Sequence, residues 1–291
     1  MKKLVYLALV AIVATSCTKE EEGTDNPTNS PVEIKLSSGI HEVLTKAPVN
    51  SGDSITAQFV ASTTTGNYST NAWTATARFK AAATSTDTLS FSPRQYYPID
   101  GSNIYIKGYY PTGSILGNTV TFNGANGTND VMITAQASGT RAASTPLNFV
   151  FNHLLTQLQF KFVAGAGYDP TGKTVKSVKV KTQQIPSTLD LNTGTITYSL
   201  GDATITGNYT ISSAGVTAPD CPMVKPGELI ILSITNSDNI TYPDISFTPV
   251  QLTTLAGNSH LITITFNHKE ITATVSVTDW VSGGGGSAGA S

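Results

Sequence analysis

The octapeptide Gly167 to Thr174, Gly-Tyr-Asp-Pro-Thr-Gly-Lys-Thr, has the letters and spacing of a phosphate-binding loop. In such a loop, successive backbone N–H groups and the lysine meet phosphate oxygens, with a helix N-terminus behind them. The flanking residues contradict that chemistry. Val175 to Lys181 alternates β-branched residues with lysines and reads as a strand, Asp169 repels an anion, and Pro170 has no N–H to offer. The segment is therefore read as a turn between strands. Gly283 to Gly289 also satisfies the G-x-S-x-G and G-x-G-x-x-G patterns, but through glycine content alone, since no strand and helix flank it. His41, His153, His260 and His268 show no i,i+4 pairing and have no neighbouring cysteine. No metal set is expected from them, and each is read as a strand-edge or turn residue. Acidic residues are scattered rather than paired, so no catalytic residue is assigned and no cofactor is expected.

Covalent chemistry is expected at Cys17. Lys2 and Lys3 form a positive start, Leu4 to Val13 an apolar run, and Ala14-Thr15-Ser16-Cys17 a lipobox in which small residues precede an acylated cysteine. The apolar run is roughly ten residues, whereas a bilayer span needs about 20. Residues 1–16 thus read as a lipoprotein signal peptide, and Cys17 as the mature first residue. Acyl chains such as palmitate contribute roughly 0.8 kcal/mol per buried CH₂, so several on one cysteine hold a chain durably on a membrane.

Residues 17–31 are acidic and rich in Gly, Pro, Ser and Asn, with no large apolar side chain, and read as a flexible tether. The whole chain has 291 residues, enough for two ordinary domains. Its formal charge of −2 falls to −4 when Lys2 and Lys3 leave with the signal, and no stripe of Lys or Arg is present, which excludes a nucleic-acid partner. There are two cysteines, and lipid occupies Cys17, so no disulfide is expected and Cys221 is read as a small buried hydrophobe.

From Val32 onward Thr, Ser, Val and Ile are punctuated by Gly, Asn and Pro, and no amphipathic helix of 12 or more residues is visible, so the fold class is all-β. Ser54 to Ala61 and Ser259 to Phe266 alternate and read as strands with one wet face. Thr188 to Tyr198 reads as a hairpin turning at Asn192-Thr193-Gly194. Ile104 to Tyr110 is apolar on both faces and is placed inside a sheet or sandwich. Along Leu147 to Val163 the apolar residues change parity near Asn152-His153, and a passage between two domains is placed there. The domains are residues 32–145 and 146–281, followed by a Gly-rich tail, 282–291. Tyr96, Tyr97, Tyr105, Tyr109 and Tyr110 are either sandwich core and strand ends or a stacking platform for sugar rings.

Three segments in this order resemble the fimbrillin family, lipoprotein-derived subunits of Bacteroidales type V pili. They are the lipobox with Val32 to Ala47, Phe151 to Phe162, and Leu255 to Ser282 with its terminal Trp280. The acidic tract after Cys17 is similar to that of surface-exported lipoproteins of the same order. The resemblance implies two tandem β-sandwich domains of transthyretin-like, Greek-key type, on the outer membrane and then in a fimbrium. It also implies a first strand, Val32 to Leu36 with an extension towards Leu44, anchored by Ile34 and Leu36 and displaced when a trypsin-like protease cuts. Lys46, followed by Ala47, is the only Lys or Arg between Lys35 and Arg78. Arg141 has the more family-like surroundings, and the order of the two stays open. The emptied groove would accept a strand from another fimbrial subunit, in a homo- or hetero-polymer. Ile271 to Trp280 is the candidate donor, with Ile271, Ala273, Val275 and Val277 on one face, and is equally readable as an ordinary terminal strand paired with Leu261 to Phe266. The alternative from another class is a non-polymerising surface lipoprotein, an adhesin that binds a glycan or host ligand through the tyrosine-rich segment.

Overall fold

A computed structural model describes residues 30–37, 54–80, 88–122, 130–181, 184–245, 256–268 and 271–279. Met1–Pro31 is one unit and Val32–Ser291 another, and the architecture below is that of the second. Its described residues carry strands and turns, with no helix.

The first sheet is antiparallel and runs in the order Phe151–His153, Met132–Thr134, Ile104–Tyr110, Ser54–Ser62, Trp73–Lys80, with Ala137–Gly139 also pairing on Ile104–Tyr110. Ile104–Tyr110 is thus an inner strand, as its two apolar faces demand. Against this sheet pack the short strands Lys35–Ser37 and Thr88–Ser90. The core between them centres on Phe59, whose ring meets Phe91, Phe149 and Phe151 edge-on at centroid distances of 5.2, 5.0 and 6.1 Å. Such edge-to-face arrangements suit the ring quadrupoles and add to the area buried.

A second core lies between a five-stranded and a four-stranded layer. The first runs Val216–Thr217, Thr156–Ala164, Asn258–Phe266, Ile271–Asp279, with Met223–Val224 also pairing on Thr156–Ala164, and the other Ala203–Thr210, Thr174–Val180, Leu232–Asn236, Thr241–Ile245. Thr156–Ala164 and Asn258–Phe266 pair in parallel, from Gln157 opposite Ser259 to Ala164 opposite Phe266. Leu158, Phe160, Phe162, Ile262, Ile264 and Phe266 all point into this core and are fully buried.

The hairpin of Gln184–Asp190 and Ile196–Leu200 turns at Asn192-Thr193-Gly194. Gly194 there has a φ of 76°, in the left-handed region glycine enters without Cβ strain. Asp190 accepts the N–H groups of Asn192 and Thr193, which closes the turn. The hairpin then pairs across the chain: Thr188, Leu189 and Asp190 lie opposite Thr121, Val120 and Thr119, making a four-stranded sheet completed by Ser114–Leu116. A third core forms beneath it from Val60, Tyr68, Tyr109, Val120, Leu155, Leu189, Leu191 and Met223. Lys107 donates to the Leu191 carbonyl at 2.7 Å, and Tyr68 N–H to Asn192 Oδ1 at 2.8 Å. The second core is built wholly from residues after Gln157, whereas the first takes Leu147, Phe149 and Phe151 as well as residues from Ile34 to Met132, and the third likewise draws on residues before and after Thr145.

This third core corrects one expectation. The outward face of Ser54–Ser62 is wet only in part: Thr56 is exposed and Gln58 half-buried, but Val60 on that face is buried in the third core, while Ala57, Phe59 and Ala61 enter the first. The parity change near Asn152-His153 coincides with the handover between cores. Leu147, Phe149 and Phe151 belong to the first, Leu155 to the third, and Leu158, Phe160 and Phe162 to the second.

Truncating Leu191 removes a fully buried side chain from the core that both sides share. Leu191→Ala is expected to cost about 2–5 kcal/mol, read as a lower urea midpoint. The fluorescence of Trp73, on the far side of the molecule's first sheet, should move with the same transition.

Candidate functional site: the seat of the first strand

Residues 32–37 are held along both edges. On one edge Tyr97 N–H donates to the Val32 carbonyl and Ile34 N–H to the Gln95 carbonyl, each at 2.9 Å. On the other, Leu147 N–H donates to the Lys35 carbonyl and Ser37 N–H to the Leu147 carbonyl, again at 2.9 Å. Lys35, Leu36 and Ser37 also run antiparallel to Ser90, Leu89 and Thr88. Alternation sends Ile34 and Leu36 inward, where they are 0% and 1% exposed beside Phe59, Phe91 and Phe149.

The outward residues form a small charged cluster. Lys35 Nζ lies 2.7 Å from Glu33 Oε2 and 2.8 Å from Ser90 Oγ, and Arg94 Nε is 3.9 Å from Glu33 Oε1. Hydrogen bonds from Lys35 and Ser90, aided by the charges of Lys35 and Arg94, hold the Glu33 carboxyl below the ordinary glutamate value of 4.5. Ser37 Oγ adds bonds to the Leu147 carbonyl and to Asn148. Taking the segment away would strip Gln95, Tyr97 and Leu147 of these partners and open the space under Ile34 and Leu36. A buried backbone group left unpaired costs on the order of 1–3 kcal/mol, so such a seat attracts another strand.

The candidate donor is found as the second arm of a hairpin. Ile271–Asp279 runs antiparallel to Asn258–Phe266, from Ile271 opposite Phe266 to Asp279 opposite Asn258, and it ends its sheet. Ala273 is buried, and Ile271 and Val275 are half-buried against the second core. Val277 lies in the same strand opposite His260. Cys17, Lys46, Ala47, Trp280 and the tail lie outside the described residues, as does the stretch from Ile40 to Leu44. Arg141 is described, in a turn closed between Thr140 and Ala143, with its Nη1 3.5 Å from the Ile99 carbonyl.

The phosphate-loop letters at Gly167 to Thr174 form a turn that runs straight into the strand Thr174–Val180. Asp169 accepts Thr171 N–H within it, and Lys173 Nζ binds both oxygens of Asp238, at 2.8 and 2.7 Å. Tyr97 and Tyr109 are 3% and 0% exposed in two different cores, so the five tyrosines do not make one stacking platform. Cys221 is buried. His260 departs from the strand-edge or turn reading: it is 1% exposed inside Asn258–Phe266, and burial pulls its pKa down. Sequence reasoning also missed Asp130, a fully buried carboxylate 2.5 Å from His153 Nδ1. Burial raises the Asp130 pKa against the opposing pull of His153. No spacing signal could have revealed a pair 23 positions apart. Among the described residues no group of three or more His, Cys, Asp or Glu could hold a metal ion.

A model of the fimbrillin-like family matches residues 32–280. The chain belongs to the fimbrillin-like family. A Bacteroides uniformis protein provisionally named fimbrium subunit Fim1C is 25% identical over 309 aligned positions, covering 98% of each chain. A crystal structure described as a prospective cell adhesion protein from Bacteroides uniformis shares 22% identity at a TM-score of 0.59, covering 88% of this chain and 100% of that one. A similarly described protein from Bacteroides ovatus shares 20% identity at a TM-score of 0.54, over 87% and 98%. These two establish likeness of fold for this fimbrillin-like chain.

Two outcomes follow for the seat. Ile34→Ala or Leu36→Ala should each cost about 2–5 kcal/mol and speed hydrogen exchange at the Tyr97 and Leu147 amides more than at amides of the second core. Because the Glu33 pKa is depressed, its stabilisation is present above pH 4.5 and is lost as pH falls through the lower folded value. Glu33→Gln should therefore flatten the acid limb of a melting-temperature profile while leaving its alkaline side unchanged.

Proposed function

We propose that this chain is a structural or tip subunit of a cell-surface fimbria, exported as an outer-membrane lipoprotein and polymerised by donor-strand exchange. The observation that carries the reading is the seat of residues 32–37. They form a strand hydrogen-bonded on both edges and anchored by two apolar side chains, yet they precede by a short interval Lys46, the only Lys or Arg between Lys35 and Arg78. Cys17 would carry the acyl anchor before processing. A trypsin-like protease cutting between Lys46 and Ala47 would release lipid and first strand together.

Local loss is tolerable because Ile34 and Leu36 belong to one core of three. The other two keep their full complement of side chains, and the shared hairpin keeps the halves joined. The emptied seat would take a strand from a neighbouring subunit, restoring both the ladder and the apolar contacts. Repeated head to tail, such heterologous contacts build an open filament. The candidate donor is Ile271 to Trp280 of the neighbour, which would have to leave its hairpin with Asn258–Phe266 to enter the seat.

Limited trypsin treatment of the soluble precursor tests this directly. An N-terminus at Ala47 and a detergent-resistant ladder of oligomers are expected, and Lys46→Ala should stay monomeric under the same treatment. A product that begins at Ala47 but remains monomeric would refute the assembly role.

A further inference from the structure

We infer that Ser90 and Arg94 form a carboxylate-reading subsite at the rim of the first strand's seat, and that this subsite sets the register in which the closing strand of a second copy enters. The inference rests on the donor-strand reading above and goes beyond it by naming what the seat recognises.

Glu33 is the first strand's outward residue next to its deep anchor Ile34. One carboxylate oxygen meets Lys35, and the other is buried without a hydrogen-bond partner among the described residues, with Arg94 Nε 3.9 Å away; Ser90 Oγ accepts Lys35 Nζ at 2.8 Å beside it and helps to lower the Glu33 pKa. When the strand departs, Lys35 departs with it. Ser90 and Arg94 belong to the wall and stay. The vacated seat therefore asks for two inward apolar side chains two positions apart, and for an acid immediately before the first of them.

The closing strand carries that pattern. Glu33-Ile34-Lys35-Leu36 has its counterpart in Glu270-Ile271-Thr272-Ala273. Glu270 lies outside the described residues and enters here by sequence alone. Alternation allows only shifts by two, since an odd shift would turn Thr and Ser into the core. In the first register Ile271 and Ala273 replace Ile34 and Leu36, with Glu270 at the subsite. A shift of four residues puts Val275 and Val277 inward and leaves Thr274 facing Arg94.

Apolar fit alone favours the pair of valines, but only by one side-chain carbon, a factor of about four in affinity. A hydrogen-bonded carboxylate at the rim is worth about tenfold or more. The charge therefore decides, and the chosen register leaves the space of Leu36 only partly filled by Ala273.

The test uses the full-length chain with a specific protease site placed directly after Lys46. After cutting, fluorescent peptides spanning residues 31–38 and 269–280 are titrated by anisotropy. Both should bind. Glu270→Gln should weaken the closing-strand peptide about tenfold on the cut chain but not on its Arg94→Ala variant, and Ala273→Leu should tighten it by about tenfold. Binding of both peptides with no response to either substitution overturns the register and the subsite, and leaves donor-strand exchange standing. Binding of the 31–38 peptide alone overturns the second copy as occupant. If neither peptide binds the cut chain, the exchange reading itself fails and this inference with it.

Discussion

A strand buried among neighbours must satisfy two edges of backbone and one face of side chain at once, and residues 32–37 do so entirely with partners distant in the sequence. Their hydrogen bonds go to Gln95, Tyr97 and Leu147, and their anchors sit on Phe59, Phe91 and Phe149. These contacts are noncovalent, and the proposed assembly would exchange them. Another strand with the same alternation offers the same backbone groups.

Exchange demands that the remainder survive the interval. The hairpin of Gln184–Asp190 and Ile196–Leu200 meets that demand by completing a sheet begun at Ser114–Leu116 and Thr119–Thr121. Leu189 and Leu191 bury against Val60, Tyr109 and Val120, residues that come from well before the passage at Asn152-His153. Polar contacts reinforce the join, with Lys107 reaching the Leu191 carbonyl and Asn118 reaching Asp190. In the proposed exchange, opening the first core would leave these contacts between the two sides in place. Asp130 and His153 form a buried hydrogen-bonded pair close to the same passage, where removing either partner would leave a buried polar group without its bond.

Functional assignment here comes from a seat rather than from a cluster of reactive groups. The phosphate-loop letters at Gly167 to Thr174 form a turn that a strand follows, and their lysine is held by Asp238. The chain belongs to the fimbrillin-like family, and recognition between strands is the chemistry proposed for it.

The amino-acid sequence by itself determined the elements whose signals are local. The all-β class, the hairpin turning at Asn192-Thr193-Gly194, the inner position of Ile104–Tyr110 and the parity change near Asn152-His153 all follow from period-two alternation and turn chemistry, which neighbouring residues carry among themselves. Only the tertiary structure decided which strands meet. The parallel pairing of Thr156–Ala164 with Asn258–Phe266, the seating of the Thr188 hairpin on Thr119–Thr121, the burial of Val60 opposite Phe59 and the pairing of Asp130 with His153 join residues far apart in the chain. Alternation states which face of a strand is apolar but is silent about its neighbour. That choice is made by how three cores fill together, and by the need of every buried backbone group for a partner.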